Sequence, residues 1–128
     1  MATIPKRIPQ LQIVVECILP QVDHLNIYLN NFEEVPWFLD NPKINIVRSQ
    51  DLGDRGDAGK FYWANKVSGY YFTIDDDIVY PPDYVHVLKE ALDKSRKVRK
   101  RFNFAMINIP PKTILEFAKD KTITCEVF

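Results

Sequence analysis

Hydrophobic and polar positions in the first half of the chain form segments that predict strands and helices in turn. The short apolar stretch Met1–Ile4 precedes a proline and is interpreted as the end of a strand. Apolar residues then recur at helical spacing over residues 8–19, which predicts a helix ending before the next proline. Alternation in His24–Asn30 and the apolar run Ile44–Val47 predict two further strands.

The second half continues this alternation around a polar, glycine-rich segment. Residues 51–60 contain three of the four glycines and are predicted to be a loop, followed by a helix over residues 61–67. Tyr70–Ile74 is typical of a central buried strand. A helix is predicted to open at Pro81-Pro82-Asp83, with Tyr84, Val85, Leu88, Ala91 and Leu92 on one face.

The remaining residues add two predicted strands, over 102–109 and 122–128, separated by a short helix that begins near residue 113. Strands that alternate with helices indicate an α/β fold with a mainly parallel sheet flanked by helices. No linker divides the sequence, so we expect a single domain over residues 1–128.

Composition is ordinary for a globular protein and excludes several classes. The chain has 46% hydrophobic and 27% charged residues, and its formal net charge of zero argues against a nucleic-acid binder. No apolar run approaches a transmembrane span or a signal peptide. Cys17 and Cys125 lie in apolar stretches and are interpreted as buried free thiols of a cytoplasmic protein.

Three consecutive carboxylates, Asp75-Asp76-Asp77, are the strongest chemical signal. Adjacent carboxylates repel one another, so they persist where solvent or a cation offsets their charge. Here they follow an apolar run, and ligands of open α/β sheets bind beyond the carboxyl ends of strands. Hard oxygen ligands suit Mg²⁺ or Mn²⁺, which often bridge carboxylates to substrate phosphates. The triplet predicts such a metal site, and the alternative is a solvated acidic turn.

The glycine-rich segment is the second signal. Glycines let a backbone approach a ligand closely, and a helix beginning near Asp57 would place Lys60 in its first turn, where an anion is favoured. The spacing matches neither a Walker A loop nor a dinucleotide fingerprint, and the alternative is a flexible surface loop. The basic run Lys94–Arg101 is interpreted as a solvated helix end near the negative end of the helix dipole.

Five segments together carry a family resemblance: Met1-Ala-Thr-Ile-Pro5-Lys-Arg7, Pro20-Gln-Val-Asp23, Tyr28-Leu-Asn-Asn31, Gly53-Asp-Arg-Gly-Asp-Ala-Gly-Lys-Phe-Tyr-Trp63 and Tyr71-Phe-Thr-Ile-Asp-Asp-Asp-Ile-Val-Tyr-Pro-Pro-Asp-Tyr84. Over residues 1–95 the chain resembles family 2 glycosyltransferases of bacterial surface-polysaccharide synthesis, above all those of the heparosan- and capsule-polymerase type. The resemblance implies a GT-A (Rossmann-like) fold, a UDP-sugar donor, a saccharide acceptor and Mn²⁺ or Mg²⁺. It also implies a cytoplasmic protein, either free or peripheral at the inner membrane.

The resemblance implies roles for residues around the nucleotide. Pro5 and Arg7, after the first strand, would border it. Asn30, at the end of the second strand, would lie near the base or ribose, and Asp57 would face the base. Lys60 would serve the nucleotide or the diphosphate.

The resemblance also assigns the aspartate triplet. Asp75 and Asp76 would lie by the ribose and the metal, with Asp77 the principal metal ligand and Asp75 its companion. Residues 96–128 would form a shortened or divergent C-terminal segment of a truncated fold, in which neither the acceptor site nor the catalytic base is identified.

Two alternatives to a complete glycosyltransferase remain open. One is a catalytically incomplete module that binds nucleotide sugar or supports a partner, with its cleft completed by a second copy or by a partner chain. The other is a phosphatase, because Asp75-x-Asp77-x-Val79 fits the D-x-D-x-[TV] pattern in which the first aspartate is the nucleophile.

Overall fold

A parallel three-stranded sheet lies at the centre of residues 1–98, the part of the chain that the computed structural model describes. The strands are β1 (Ala2–Thr3), β2 (Leu25–Leu29) and β3 (Ile44–Arg48), in the order β1-β2-β3 across the sheet. Ala2 lies opposite Tyr28, and Leu25 lies opposite Ile44. The parallel sheet and its helices confirm the predicted α/β class.

Three α-helices accompany the sheet: α1 (Ile8–Ile18), α2 (Ser49–Leu52) and α3 (Tyr84–Val98). Short 3₁₀ turns occupy Pro5–Arg7, Leu19–Gln21, Trp37–Leu39 and Gly56–Phe61. No helix among the described residues is both long and apolar enough to cross a bilayer.

The hydrophobic core forms where α1 and α3 meet β2. β2 is buried along most of its length, and α1 contributes Leu11, Val14, Val15 and Ile18 to the same cluster. Burial of each such aliphatic side chain contributes on the order of 1.5–3 kcal/mol, so this apolar stripe stabilises the helix far more than its local propensity does. The helix predicted over residues 8–19 is confirmed, with its end one residue earlier.

α3 presents the apolar face that the sequence predicts. Its buried residues on the core side are Tyr84, Val85, Leu88, Ala91 and Leu92. Gln21 joins the first turn of α3 to the end of α1. Its side chain accepts a hydrogen bond from the Val85 amide at 3.1 Å and donates one to the Pro81 carbonyl at 2.8 Å. The amide bond satisfies one of the backbone N–H groups that a helix start leaves without an intrahelical partner.

Two secondary-structure predictions are wrong. Residues 62–66 form turns rather than a helix, and Tyr70–Ile74 forms no strand, although Ile74 belongs to the core cluster. A strand requires a neighbour with which to form a ladder. β1 is only two residues long and pairs with β2. The apolar run therefore packs through its side chains without strand pairing, with Thr73 and Ile74 buried and the three aromatic residues half-buried.

Other predictions are refined or lie elsewhere. The predicted loop over residues 51–60 contains the end of α2 and most of the 3₁₀ turn Gly56–Phe61. Cys17 is half-buried rather than fully buried. Cys125, the strands predicted over 102–109 and 122–128, and the helix predicted near residue 113 lie outside the described residues.

The contact between Gly59 and Tyr28 yields a stability prediction. A Cβ atom at residue 59 would lie 2.6 Å from Cγ of the buried Tyr28 ring, far inside van der Waals contact. We therefore expect Gly59→Ala to lower the free energy of unfolding by about 1–3 kcal/mol, the usual cost of overpacking, as measured by urea denaturation. Ser68→Ala, at an exposed position, is the control and should change it by less than about 0.5 kcal/mol. Equal stability of the two variants would contradict the close packing.

The buried phenol of Tyr84 yields a prediction about alkaline pH. Burial raises the pKa of Tyr84 from its ordinary 10.0 to about 12, with a smaller contribution from the charge of Asp75. Because the folded-state pKa exceeds the unfolded one, the associated stabilisation is complete below pH 10 and is lost as the pH rises to 12. A shift of this size corresponds to about 3 kcal/mol.

Tyr84→Phe removes the titrating hydroxyl and keeps the ring. We expect the variant to lose less stability than the wild type between pH 10 and pH 12, with urea unfolding at each pH as the measurement. Identical pH profiles for the two proteins would show that Tyr84 ionises as readily in the folded state as in the unfolded one.

Candidate functional site

A cavity of about 370 Å³ opens at the carboxyl ends of β1 and β2. Its walls are the end of β1 with the turn that follows, Asn30 after β2, the first residues of the Gly56–Phe61 turn, and the three consecutive aspartates. Six of the eight site residues predicted from the sequence line this cavity: Arg7, Asn30, Asp57, Asp75, Asp76 and Asp77. We call it the acidic cleft.

Lys60, the seventh predicted residue, joins two walls of the acidic cleft. Its Nζ lies 2.8 Å from Asp57 Oδ2 and 3.1 Å from Asp75 Oδ1. Asp57 and Lys60 are three residues apart in the 3₁₀ turn, so both side chains project from the same face. Burial would lower the pKa of Lys60, but the hydrogen bonds and charges of the two carboxylates outweigh it and raise that pKa. Lys60 is therefore a cation at neutral pH.

Arg7 lies across the other two aspartates of the triplet. Its Nη1 is 2.6 Å from Asp76 Oδ1 and 2.8 Å from Asp77 Oδ2. The hydrogen bond to Asp76, followed by the charges of Asp76 and Asp77, raises the pKa of Arg7 further above its ordinary value. The Asp76 side chain is only 5% exposed, whereas that of Asp77 is 45% exposed. Asp76 is therefore the inner partner of Arg7, and Asp77 faces solvent.

Negative charge exceeds positive charge in this ion-paired group. Four carboxylates, those of Asp57 and the triplet, pair with the two cations Arg7 and Lys60. Four negative and two positive charges leave a net charge of −2. One divalent cation would neutralise it.

The oxygen ligands of the acidic cleft suit a hard cation that takes only part of its coordination shell from the protein. Among the described residues, no group of three or more histidine, cysteine, aspartate or glutamate side chains is arranged to hold a metal ion. Magnesium typically takes one or two protein carboxylates and completes its shell with water and substrate phosphates. Asp75 and Asp77 have the more accessible carboxylates of the triplet, with side chains 34% and 45% exposed. They fit that role.

Asn30 both lines the acidic cleft and supports the loop opposite. Its side chain is almost fully buried, and its Nδ2 donates to the Gly56 carbonyl at 2.9 Å. Its Oδ1 accepts from the Arg55 amide at 3.1 Å. The resemblance implies that Asn30 lies near a base or ribose, whereas in the structure both ends of its amide already bind the loop backbone.

Pro5 is the one predicted site residue that neither lines the cavity nor pairs with a residue that does. It is exposed at the start of the 3₁₀ turn Pro5–Arg7. The proline ring fixes φ near the value that such a turn needs. Its structural contribution is therefore to direct the chain so that Arg7 reaches the triplet.

Three residues around the site, Asn31, Asp54 and Tyr80, were not predicted from the sequence. Asn31 Nδ2 donates to Asp54 at 2.6 Å. The Gly56 amide and then Asn31 lower the pKa of Asp54. Tyr80 accepts a hydrogen bond from the Asp75 amide at 2.8 Å, and burial raises its pKa. These contacts join residues whose pairing has no local sequence signature, except that Tyr80 lies only five residues after Asp75.

Comparison of the chain with models of known protein families finds no match, and comparison with curated proteins finds none either.

Proposed function

We propose that this chain binds a nucleoside diphosphate sugar, UDP-linked, together with Mn²⁺ or Mg²⁺, as the donor-binding part of a GT-A-type glycosyltransferase of surface-polysaccharide synthesis. One observation carries the proposal. Seven of the eight residues that the resemblance assigns to the donor, from four separate stretches of sequence, line or reach one cleft at the carboxyl ends of parallel strands. That end of the sheet is where open α/β folds bind ligands.

The charge of the cleft supports a cation-dependent ligand. A diphosphate is an anion, and the paired group that it would approach has a net charge of −2. Without a cation the two would repel each other, most strongly where the surroundings exclude water. A divalent ion at Asp75 and Asp77 would change that repulsion into attraction, because it binds carboxylates and phosphates at once.

The two cationic side chains are placed to assist the same ligand. Lys60 is buried and held between Asp57 and Asp75, so its charge is fixed at the wall of the cleft. Arg7, in the turn that follows β1, pairs with Asp76 and Asp77. When bound, the metal ion would stabilise the charge that develops on the diphosphate as the glycosidic bond breaks. The protein's own contribution is to fix both cations beforehand.

The first prediction of this proposal concerns the linkage between metal and nucleotide. We expect UDP to bind at least about tenfold more tightly with Mn²⁺ than with a chelator, in isothermal titration calorimetry, because the cation offsets the cleft's charge. Asp77→Asn should remove most of that difference while Arg7 keeps its bond to Asp76.

Asp83→Asn is the matched control, since it removes one exposed carboxylate that does not line the acidic cleft. It should leave the metal effect on UDP affinity unchanged. Equal UDP affinity of the wild type with Mn²⁺ and with chelator would refute the proposal.

A second prediction concerns transfer by the isolated chain. Transfer needs a base within hydrogen-bond reach of the acceptor hydroxyl. Each carboxylate of the acidic cleft in the described residues is already paired with Lys60 or Arg7. We therefore expect donor binding with turnover well below the usual range of about 1–10³ per second.

The measurement is UDP release from UDP-glucuronic acid and UDP-N-acetylglucosamine, with and without oligosaccharide acceptors. Slow release in every mixture is the expected result. Turnover within the usual range by the purified monomer would show that the chain is a complete enzyme, with a base other than the paired carboxylates.

A further inference from the structure

The glycine loop, residues 53–60, supplies Asp57 and Lys60 to the acidic cleft. Its glycines allow its backbone many conformations in the unfolded chain. Gly53 and Gly56 have φ of 84° and 52°, in the left-handed region that glycine enters at little cost. Such a segment loses much conformational entropy when it is ordered. If Lys60 is to remain opposite Asp75, contacts from outside the loop must select one conformation.

Tyr28 of β2 touches both ends of this loop. Its hydroxyl donates a hydrogen bond to the Gly53 carbonyl at 2.8 Å. Its ring packs on Gly59 so closely that any side chain at residue 59 would collide with it. Tyr28 is fully buried, and its ring makes T-shaped contacts with Tyr62 and Trp63.

The orientation of Tyr28 is therefore determined by the core rather than by the loop. β2 is the middle strand of the sheet and pairs with β1 at Tyr28 itself. The aromatic contacts restrict the ring further. A hydroxyl held in this way presents a fixed hydrogen-bond donor to the start of the loop, and the ring presents a fixed surface to its end.

We propose that Tyr28 is a positioning residue for the ligand site. It sets the conformation of the glycine loop and thereby holds Asp57 and Lys60 at the acidic cleft, without lining the cleft itself. The effect on a ligand rests on the proposed function, whereas the effect on the loop does not. Asn30 supports the same loop but lines the cleft, so its substitution would mix the two effects.

The test uses Tyr28→Phe, which keeps the ring against Gly59 and removes only the hydroxyl. Hydrogen exchange of the unliganded protein should become faster in residues 53–60 and remain unchanged in β2 and β3. UDP affinity in the presence of Mn²⁺ should fall about two- to tenfold, the range expected for the loss of one hydrogen bond.

Tyr70→Phe is the matched control. It also removes one tyrosine hydroxyl that hydrogen-bonds elsewhere in the protein, here to Asp93 of α3. Tyr70 does not line the acidic cleft. This variant should leave both loop exchange and UDP affinity at wild-type values. A general loss of stability would move the two variants together, and that result would overturn the positioning role.

The two measurements separate the two proposals. Unchanged exchange of residues 53–60 in Tyr28→Phe would show that the hydroxyl does not hold the loop and would overturn the inference. Faster exchange with unchanged UDP affinity would overturn its positioning role for the ligand. If the wild type binds no UDP, the proposed function fails, and the exchange of Tyr28→Phe alone decides whether Tyr28 holds the loop.

Discussion

The bridge that Lys60 forms between Asp57 and Asp75 is the interaction on which the acidic cleft depends. It joins the glycine loop to the aspartate triplet, which are separated by a stretch of turns and a partly buried apolar run. Exposed ion pairs contribute little to stability, but Lys60 is buried, and an unpaired ammonium group there would be costly. The bridge therefore constrains the loop and the triplet to remain together. If the two walls separated, Lys60 would keep only Asp57, whose side chain is 74% exposed, and would lose the contact with Asp75 that joins the walls.

The sequence pattern predicted most of the helices and strands. It failed for segments whose secondary structure depends on contacts with other parts of the chain. α1, β2 and α3 bury most of the apolar residues that periodicity selects, and those of β3 are half-buried, because the apolar face of an element is encoded in its own sequence. Tyr70–Ile74 has the composition of a central strand, yet strand formation requires a partner of sufficient length, and β1 has two residues. The turns at residues 62–66 similarly replace a predicted helix. Three aromatic residues in that region, Phe61, Tyr62 and Trp63, contribute contacts of their own to lysine and tyrosine side chains.

Most of the residues predicted for the site line one cavity, although the strand that was expected to precede the triplet does not form. Asp57, Lys60 and the aspartate triplet are charged residues that are conspicuous in the sequence, and ligands of open α/β folds bind at the carboxyl ends of strands. Arg7 and Asn30 were assigned by the resemblance alone, and six of the eight residues line one cavity. The hydroxyl groups of Tyr28 and Tyr80 were missed, because each binds a backbone atom whose position only the tertiary structure defines. Residues that bear charge can thus be inferred from sequence, whereas the residues that orient them are found only in the fold.

Under the proposed function, Arg7 and a metal ion would both bind the carboxylate of Asp77. It binds Asp76 and Asp77 through a single nitrogen, and the proposal assigns Asp77 to the cation. Asp76 is buried, whereas Asp77 is exposed to solvent. Loss of the pairing with Asp76 would therefore leave an uncompensated charge in the interior. Under the proposal, the solvent-facing Asp77 is therefore the partner that Arg7 releases when a cation binds. Arg7 would remain on Asp76, at the edge of the cleft, with its other guanidinium donors directed by that bond. Before the ligand binds, Arg7 would offset the repulsion among the three aspartates. Once the ligand is bound, Arg7 would face the ligand's phosphates.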